Sequence, residues 1–188
     1  MKVVNITYFV HSTSEYNEKK VLAGWYDTKL SELGKKQSLE LRELIKDKEF
    51  DVVFCSDSKR ATETARIAFK GKAKIIKDKR LRECDYGDLT GTPSSDLVII
   101  DSVLRYVNKP FPNGESYKDV EKRVKSFLKD LLKNYSGKNV AIVSHRTPQL
   151  VLEVLLNGKT WEQAIKEDWR FKKPKIWQPG WEYRLVKE

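Results

Sequence analysis

The sequence predicts an α/β fold: a single three-layer domain with a mostly parallel central sheet and helices on both faces. Short apolar runs at residues 3–10, 50–55 and 139–144 are rich in β-branched side chains, which is typical of buried strands. A segment with helical spacing follows each run, and alternation of strand and helix favours parallel pairing. The length of 188 residues suits one domain with a sizeable core. We therefore predict a single domain over residues 1–188.

Local signals place the elements of the N-terminal half. A polar loop follows the first strand through about Thr28, and Ser31 is placed to cap a helix. The predicted apolar face of that helix consists of Leu33, Leu41, Leu44 and Ile45. Residues 56–58 open the next helix, and a short strand follows it at residues 74–76. Close packing of this second helix on a sheet is allowed by Ala61, Ala65 and Ala68.

The stretch from Leu81 to Gly114 has no regular periodicity. Its turn-forming residues are Gly87, Gly91, Pro93, Pro110, Pro112 and Gly114. A stretch of roughly 30 residues of this kind inside a compact domain is usually functional, for example as a lid. We therefore predict a lid-like insertion at about residues 84–115.

The C-terminal part again gives clear local signals. Ser116 and Asp119 have the spacing of a capping box, and Pro148 lies near the first turn of a later helix. Residues 160–169 predict a short helix, and the alternation at residues 181–186 predicts a last edge strand. Packing of the C-terminal segment onto the core is the role expected of Trp161, Trp169, Trp177 and Trp181.

Composition narrows the classes of partner. The formal net charge is +10, but the lysines are scattered, which favours a solvated basic surface over nucleic-acid binding. No apolar run reaches the roughly 20 residues of a membrane helix, and no signal peptide is recognisable. Cys55 and Cys84 have no metal or redox spacing, so we expect reduced thiols and a cytoplasmic location. The sequence gives no indication of the oligomeric state.

The two histidines of the chain are its most informative residues. His11 and His145 each directly follow a predicted buried strand. Because ligands of open parallel sheets bind outside the carboxyl ends of the strands, we expect both in one site. Arg60 begins a helix, where free N–H groups favour an anion, and Glu83 opens the lid-like segment as a candidate general acid. Considered singly, either histidine could be structural, and Arg60 could form a surface salt bridge. Asp85 is an alternative candidate to Glu83 for the general acid.

Several segments in order resemble the histidine phosphatase superfamily, the phosphoglycerate mutase-like proteins. The resemblance covers residues 3 to about 155. Its motifs are Val10-His11-Ser12-Thr13-Ser14-Glu15-Tyr16-Asn17, the run from Gly24-Trp25 to Gly34 and Gln37, Ser56 to Ala65 with Arg60-Ala61 and Thr64, Leu81-Arg82-Glu83, Gly114-Glu115-Ser116 and Ser144-His145. Each motif is weak by itself, but six in the family's order are improbable by chance.

The resemblance implies a role for each matched residue. His11 would become a phosphohistidine, Arg60 and His145 would hold phosphoryl oxygens, and Glu83 would protonate the leaving oxygen. The phosphate pocket would also involve Asn17, Ser12 and the backbone near Gly24. The resemblance further implies a small phosphorylated substrate and no metal or other cofactor.

Two positions depart from the family's pattern. Val10 stands where the family has an arginine that grips the phosphoryl group, and Ser12 stands where it has a glycine. Arg146 follows His145, where the family usually has a small residue, so it is a candidate substrate-binding replacement. It could equally form a surface salt bridge.

The sequence therefore favours a metal-independent phosphatase that acts through phosphohistidine. Phosphoglycerate mutase is the first alternative, because the segment from Glu83 to Tyr86 resembles the mutase pattern E-x-x-Y. The second alternative is an impaired relative that binds a phosphorylated ligand, because of Val10. A metal hydrolase with His11, His145 and Glu83 as ligands ranks lowest, since neither histidine lies in a ligand-spaced pair.

Overall fold

A computed structural model of the chain describes residues 2–97, 100–171 and 180–186. Its sheet has five strands in the order β3-β2-β4-β1-β5 within these residues. The strands are β1 (Val3–Val10), β2 (Val52–Cys55), β3 (Ile75–Lys77), β4 (Asn139–Ser144) and β5 (Trp181–Val186). The first four strands are parallel, and β5 is an antiparallel edge strand beside β1.

Helices connect the strands. They are α1 (Glu15–Glu18), α2 (Glu32–Leu44), α3 (Lys59–Ala68), α4 (Ile100–Arg105), α5 (Tyr117–Asn134), α6 (Arg146–Leu156) and α7 (Trp161–Lys166). Short 3₁₀ turns lie at Lys79–Leu81, Gly87–Leu89, Ser94–Leu97 and Trp169–Phe171. The helix α1 lies within the loop that the sequence predicts to be merely polar.

Alternate side chains of the strands point into two hydrophobic clusters, one on each face of the sheet. On one face, strand residues such as Phe9 and Val143 pack with Leu41 of α2 and Ala65 of α3. The opposite face carries the larger cluster, in which strand residues pack with α5, α6 and α7. This arrangement confirms the predicted single α/β domain with a mostly parallel sheet between two helical layers.

The predicted helix starts are also confirmed. The Ser31 side chain accepts a hydrogen bond from the Gly34 N–H, and Ser116 with Asp119 forms a capping box. These signals are local, since each depends on residues three positions apart in the chain.

The apolar face predicted for α2 is wrong in part. Leu41 and Ile45 are buried, but Leu33 and Leu44 are 49% and 61% exposed. A Cβ atom on Gly34 would lie 1.9 Å from the Thr13 carbonyl oxygen, so the helix rests directly on the loop after β1. The buried face near this contact therefore carries small residues rather than leucines.

The segment predicted as a lid-like insertion is packed onto the domain. Val103 and Phe111 are buried in the larger cluster. The Leu22 N–H donates to the Thr92 carbonyl, which joins the segment to the loop after α1. Gly87 has φ +50°, and a Cβ there would lie 2.0 Å from the Pro112 carbonyl oxygen. These contacts fix the segment beside the carboxyl ends of the strands, and its action as a lid stays a prediction.

Candidate active site

A cavity of about 880 Å³ opens at the carboxyl ends of β1, β2 and β4. It brings together seven of the eight residues that the sequence predicts for the site. These are His11, Asn17, Gly24, Arg60, Glu83, His145 and Arg146. The sheet assembles them because β1 and β4 are adjacent parallel strands and β2 lies on the other side of β4.

The hydrogen bonds of His11 determine which ring nitrogen is reactive. Its Nδ1 lies 2.7 Å from the Ser12 carbonyl oxygen, which can only accept, so Nδ1 carries the proton. The lone pair is therefore on Nε2, and the Arg60 Nε–H donates to it at 3.3 Å. Burial, with a further contribution from the Arg60 charge, lowers the pKa of His11 from 6.5 to about 3. His11 is thus a neutral imidazole whose unprotonated Nε2 can attack an electrophile once it gives up the Arg60 contact.

Arg60 is a buried cation that has only neutral hydrogen-bond partners among the described residues. Its side chain is 2% exposed and donates to the carbonyls of Tyr26 at 3.0 Å and Gly24 at 2.8 Å. Burial holds the pKa of Arg60 below its usual value. A buried guanidinium without a carboxylate is costly, and an anion in the cavity would offset that cost. The surface salt bridge considered from sequence is therefore wrong for Arg60.

His145 lies at the N-terminus of α6 and faces His11, with ring centroids 5.0 Å apart. The Tyr8 hydroxyl fixes its backbone, accepting from the His145 N–H and donating to the His145 carbonyl. Burial and then the Arg60 charge hold the pKa of His145 well below 6.5. Its Nδ1 is buried and has no hydrogen-bond partner within the described part of the chain. The other ring nitrogen, Nε2, lies 3.3 Å from the Ser58 hydroxyl, and the residue lines the cavity.

Glu83 receives three backbone N–H groups. Its carboxylate accepts from Cys84 at 2.9 Å, from Thr147 at 3.0 Å and from Arg146 at 3.1 Å. The last two donors belong to the first turn of α6, where the helix dipole favours negative charge. The competing Asp85 instead accepts the Gly87 N–H within its own turn, and it does not line the cavity.

Arg123 on α5 supports the backbone that carries Glu83. Its guanidinium donates to the carbonyls of Arg80, Arg82 and Glu83, and forms an ion pair with Glu115 at 2.9 Å. Sequence reasoning missed this residue, because it belongs to a helix that starts 34 positions after Glu83.

Of the remaining predicted substrate-binding residues, some line the cavity and one does not. Asn17 and Gly24 line the cavity, and Gly24 needs its positive φ of 48° where the chain passes Tyr86. Ser12 does not line it, which corrects the prediction of a substrate-binding residue there. Its hydroxyl accepts from Ser38 at 2.8 Å and its N–H donates to Thr64, so α2 and α3 occupy both polar groups.

The cavity also contains residues that the sequence did not indicate. Arg170 and Trp169 line it, although Trp169 was expected only to pack the C-terminal segment. Asp168, whose side chain is fully buried, binds Arg146 Nε at 2.7 Å and Arg170 Nη1 at 2.8 Å. No motif marks this run, so only the fold reveals it. Trp161 packs on Tyr117 as expected, while Trp177 lies outside the described residues.

Within the described residues, no group of three His, Cys, Asp or Glu side chains is arranged to hold a metal ion. No helix in that part of the chain combines the length and the apolar character of a membrane span.

The sequence-family model of the histidine phosphatase superfamily (branch 1) matches residues 8–173 of the chain. The chain belongs to this superfamily. Among curated relatives of this chain, phosphoserine phosphatase 1 of Hydrogenobacter thermophilus is 33% identical over 155 residues, covering 79% of this chain and 74% of the relative. The 2,3-bisphosphoglycerate-dependent phosphoglycerate mutase of Methylorubrum extorquens (strain PA1) is 32% identical over 164 residues, covering 80% and 77%.

Solved structures agree with the fold. The alpha-ribazole phosphatase of Shigella flexneri superposes with a TM-score of 0.74 at 26% identity, covering 85% of this chain and 83% of that chain. Bacillus stearothermophilus YhfR superposes with a TM-score of 0.75 at 24% identity, covering 86% and 83%. Together with the curated relatives, these matches support a phosphoryl-transfer enzyme of the phosphatase or mutase type that acts on a small phosphorylated substrate.

Proposed function

We propose that this protein hydrolyses a phosphomonoester through a phosphohistidine on His11, without a metal ion. One observation carries the proposal: a buried Arg60, with no carboxylate hydrogen-bonded to it among the described residues, contacts the lone-pair nitrogen of a neutral histidine. Phosphoryl transfer needs an aligned nucleophile and neutralisation of charge on the phosphoryl oxygens. This pair of side chains supplies both.

In the first step, His11 Nε2 attacks phosphorus in line with the ester oxygen. The N–P bond forms and the P–O ester bond breaks. Arg60 and His145 hold the non-bridging oxygens. The leaving oxygen takes its proton from Glu83, which acts as the general acid.

In the second step, water attacks the phosphohistidine. Glu83 accepts a proton from that water, the N–P bond breaks, and inorganic phosphate leaves. His11 returns to its neutral form with the lone pair on Nε2, because its Nδ1–H stays bonded to the Ser12 carbonyl. The same carboxylate thus serves as acid and then as base.

The test compares wild type with His11→Ala, with p-nitrophenyl phosphate as substrate and EDTA present throughout. We expect metal-independent turnover that His11→Ala abolishes, together with an acid-labile, alkali-stable phosphoryl adduct in rapidly quenched wild type. Arg42→Gln, an exposed change on α2, is the matched control and should keep full activity. Inactivation of wild type by EDTA, or persistence of turnover in His11→Ala, would contradict the proposal.

A mutase is the second candidate, favoured by Tyr86. This residue lines the cavity three positions after Glu83, the spacing of the E-x-x-Y pattern, and it is 6% exposed. Incubation with 2- or 3-phosphoglycerate separates the two activities. Release of inorganic phosphate supports the phosphatase, and exchange between the isomers without net release supports the mutase.

Val10 is the basis for the third candidate, a relative that binds a phosphorylated ligand with little catalysis. It lines the cavity with an aliphatic side chain at the position of the family's arginine. Saturable binding of inorganic phosphate or a phosphoglycerate, without turnover or phosphohistidine, would favour this candidate over the enzyme.

A further inference from the structure

The cavity has an apolar wall at the end of β1. Val10 lines this wall and brings no charge. Helix α3 contributes one cation to the cavity, Arg60. Val10 pairs with Ser144 on the adjacent strand, which places the start of α6 directly beside it. Any replacement for a cation at position 10 can therefore reach the cavity from the α6 side.

Two guanidinium groups line the cavity on that side. Arg146 begins α6, and Arg170 lies in the 3₁₀ turn after α7. Asp168 joins them, one carboxylate oxygen accepting from Arg146 Nε at 2.7 Å and the other from Arg170 Nη1 at 2.8 Å. We call these three residues the arginine–aspartate bridge.

Burial and further contacts hold the side chains of the bridge in fixed positions. The Asp168 side chain is fully buried, and those of Arg146 and Arg170 are 14% and 22% exposed. Gln149 accepts from Arg170 Nη2 at 3.2 Å, and the Arg170 guanidinium stacks over Trp169 at 4.7 Å. Such an arginine is preorganised, so little side-chain entropy is lost when it binds an anion.

The charge of the bridge does not cancel. Two guanidinium groups share one carboxylate, which leaves one positive charge at the cavity wall. Burial by itself would raise the pKa of Asp168, but Arg170 and Arg146 outweigh it and keep the carboxylate ionised. The charge of Arg170 also contributes to the lowered pKa of His11, so its field reaches the nucleophile.

We propose that the arginine–aspartate bridge binds the phosphoryl group under transfer, with Arg170 as the cation that replaces the arginine absent at position 10. This rests on the proposed function, because it assigns the ligand of the same cavity. It makes Arg170 a substrate-binding residue, and it makes Asp168 the positioning residue for both guanidinium groups.

The test is a double-mutant cycle between positions 10 and 170. The variants are Arg170→Gln, Val10→Arg and the double variant, with Arg42→Gln as the control. Two quantities are measured for each: kcat/KM with p-nitrophenyl phosphate, and the Kd of inorganic phosphate by calorimetry. Neither ligand carries a second anionic group, so both report on the phosphoryl site itself.

A charged hydrogen bond to a phosphoryl oxygen changes binding or rate by roughly ten- to a hundredfold. We expect Arg170→Gln to lose that much in both quantities, and Val10→Arg alone to change them less than threefold. In the double variant, arginine at position 10 should restore at least tenfold of the loss. Arg170→Lys should recover only part of wild-type affinity, because lysine lacks the planar fork.

Three results would overturn the inference. One is Arg170→Gln behaving like Arg42→Gln in phosphate affinity. Another is a tenfold gain from Val10→Arg in the wild-type background. The third is a loss in Arg170→Gln seen with phosphoserine but not with inorganic phosphate, which would assign Arg170 to a distant carboxylate.

Failure of the proposed function gives a different pattern. Wild type would then show no turnover and no phosphohistidine, while Arg170→Gln would still weaken phosphate binding. That result would support the anion site without the enzyme activity.

Val10 is 7% exposed, so folding of Val10→Arg is checked by circular dichroism and thermal melting. If it does not fold, phosphate affinity in Arg170→Gln and Arg170→Lys decides the inference.

Discussion

Replacement of Arg60 by glutamine tests the central electrostatic argument. A guanidinium has five N–H groups. In the described structure three of them are used, by the carbonyls of Gly24 and Tyr26 and by His11 Nε2. Two N–H groups therefore remain for a phosphoryl group, and His11 Nε2 gives up its contact when it attacks phosphorus.

The expected loss follows from these two groups. Each charged hydrogen bond contributes about 1.5–3 kcal/mol, so two contribute about 3–6 kcal/mol. If both act in the transition state, kcat/KM falls roughly 10²- to 10⁴-fold. The assay is p-nitrophenyl phosphate hydrolysis at pH 7, with Arg42→Gln as the matched surface control.

The same variant shifts the titration of His11. A neighbouring positive charge disfavours the imidazolium, so removal of the Arg60 charge raises the pKa of His11 above about 3. Burial is the larger cause and persists, which keeps the new pKa below 6.5. Because the chain has two histidines, an NMR titration of the ring protons resolves them with one assignment variant.

Two results would refute the reasoning. A reduction in kcat/KM of less than about threefold would show that Arg60 does not contact the reacting group. An unchanged or lower pKa of His11 would show that the two side chains do not interact as the 3.3 Å contact indicates.

Three further predictions concern stability. Because the folded pKa of His11 is about 3 and its unfolded value 6.5, the unfolded chain binds more protons between these pH values. The free energy of unfolding in urea should therefore fall by about 1.4 kcal/mol per pH unit from this site below pH 6.5. An equal slope in wild type and His11→Asn would contradict it. Gly87→Ala should lower Tm more than Gly71→Ala, since both have positive φ but a Cβ meets backbone at Gly87 and open space at Gly71; equal melting would show that the contact yields. Leu41→Ala should lower the unfolding free energy by about 2–5 kcal/mol and Leu44→Ala by under about 0.5 kcal/mol, because Leu41 is buried and Leu44 is exposed. Similar losses in the two variants would show that Leu44 does not lie on an exposed face of α2.

Much of the fold could be predicted because its signals are local. The strands β1 and β4 are short, largely apolar runs, and the caps at Ser31 and Ser116 depend on residues three positions away. The α2 face was mispredicted because helical spacing identifies apolar residues but not the neighbour that they meet. Here that neighbour is a backbone carbonyl, against which Gly34 fits and a larger residue does not.

The same distinction between local signals and contacts of distant segments applies to the residues of the site. His11, Arg60 and His145 were predictable because each lies at the end of a strand or in the first turn of a helix, positions that a parallel sheet brings to one edge. Ser12 is adjacent to His11 in sequence, yet its polar groups bind Ser38 and Thr64. Neither orientation nor partner can be derived from adjacency.

By itself, the sequence determined the α/β architecture, the meeting of two histidines at one sheet edge and the absence of an arginine at position 10. The tertiary structure decided which cations surround that edge. Arg170 comes from the 3₁₀ turn after α7, 159 positions after His11, and reaches the cavity because Asp168 and Gln149 hold it there. The physical reason is distance along the chain: periodicity and caps are set by neighbours within a few residues, whereas a buried charge network is set by packing between elements that the sequence does not place side by side.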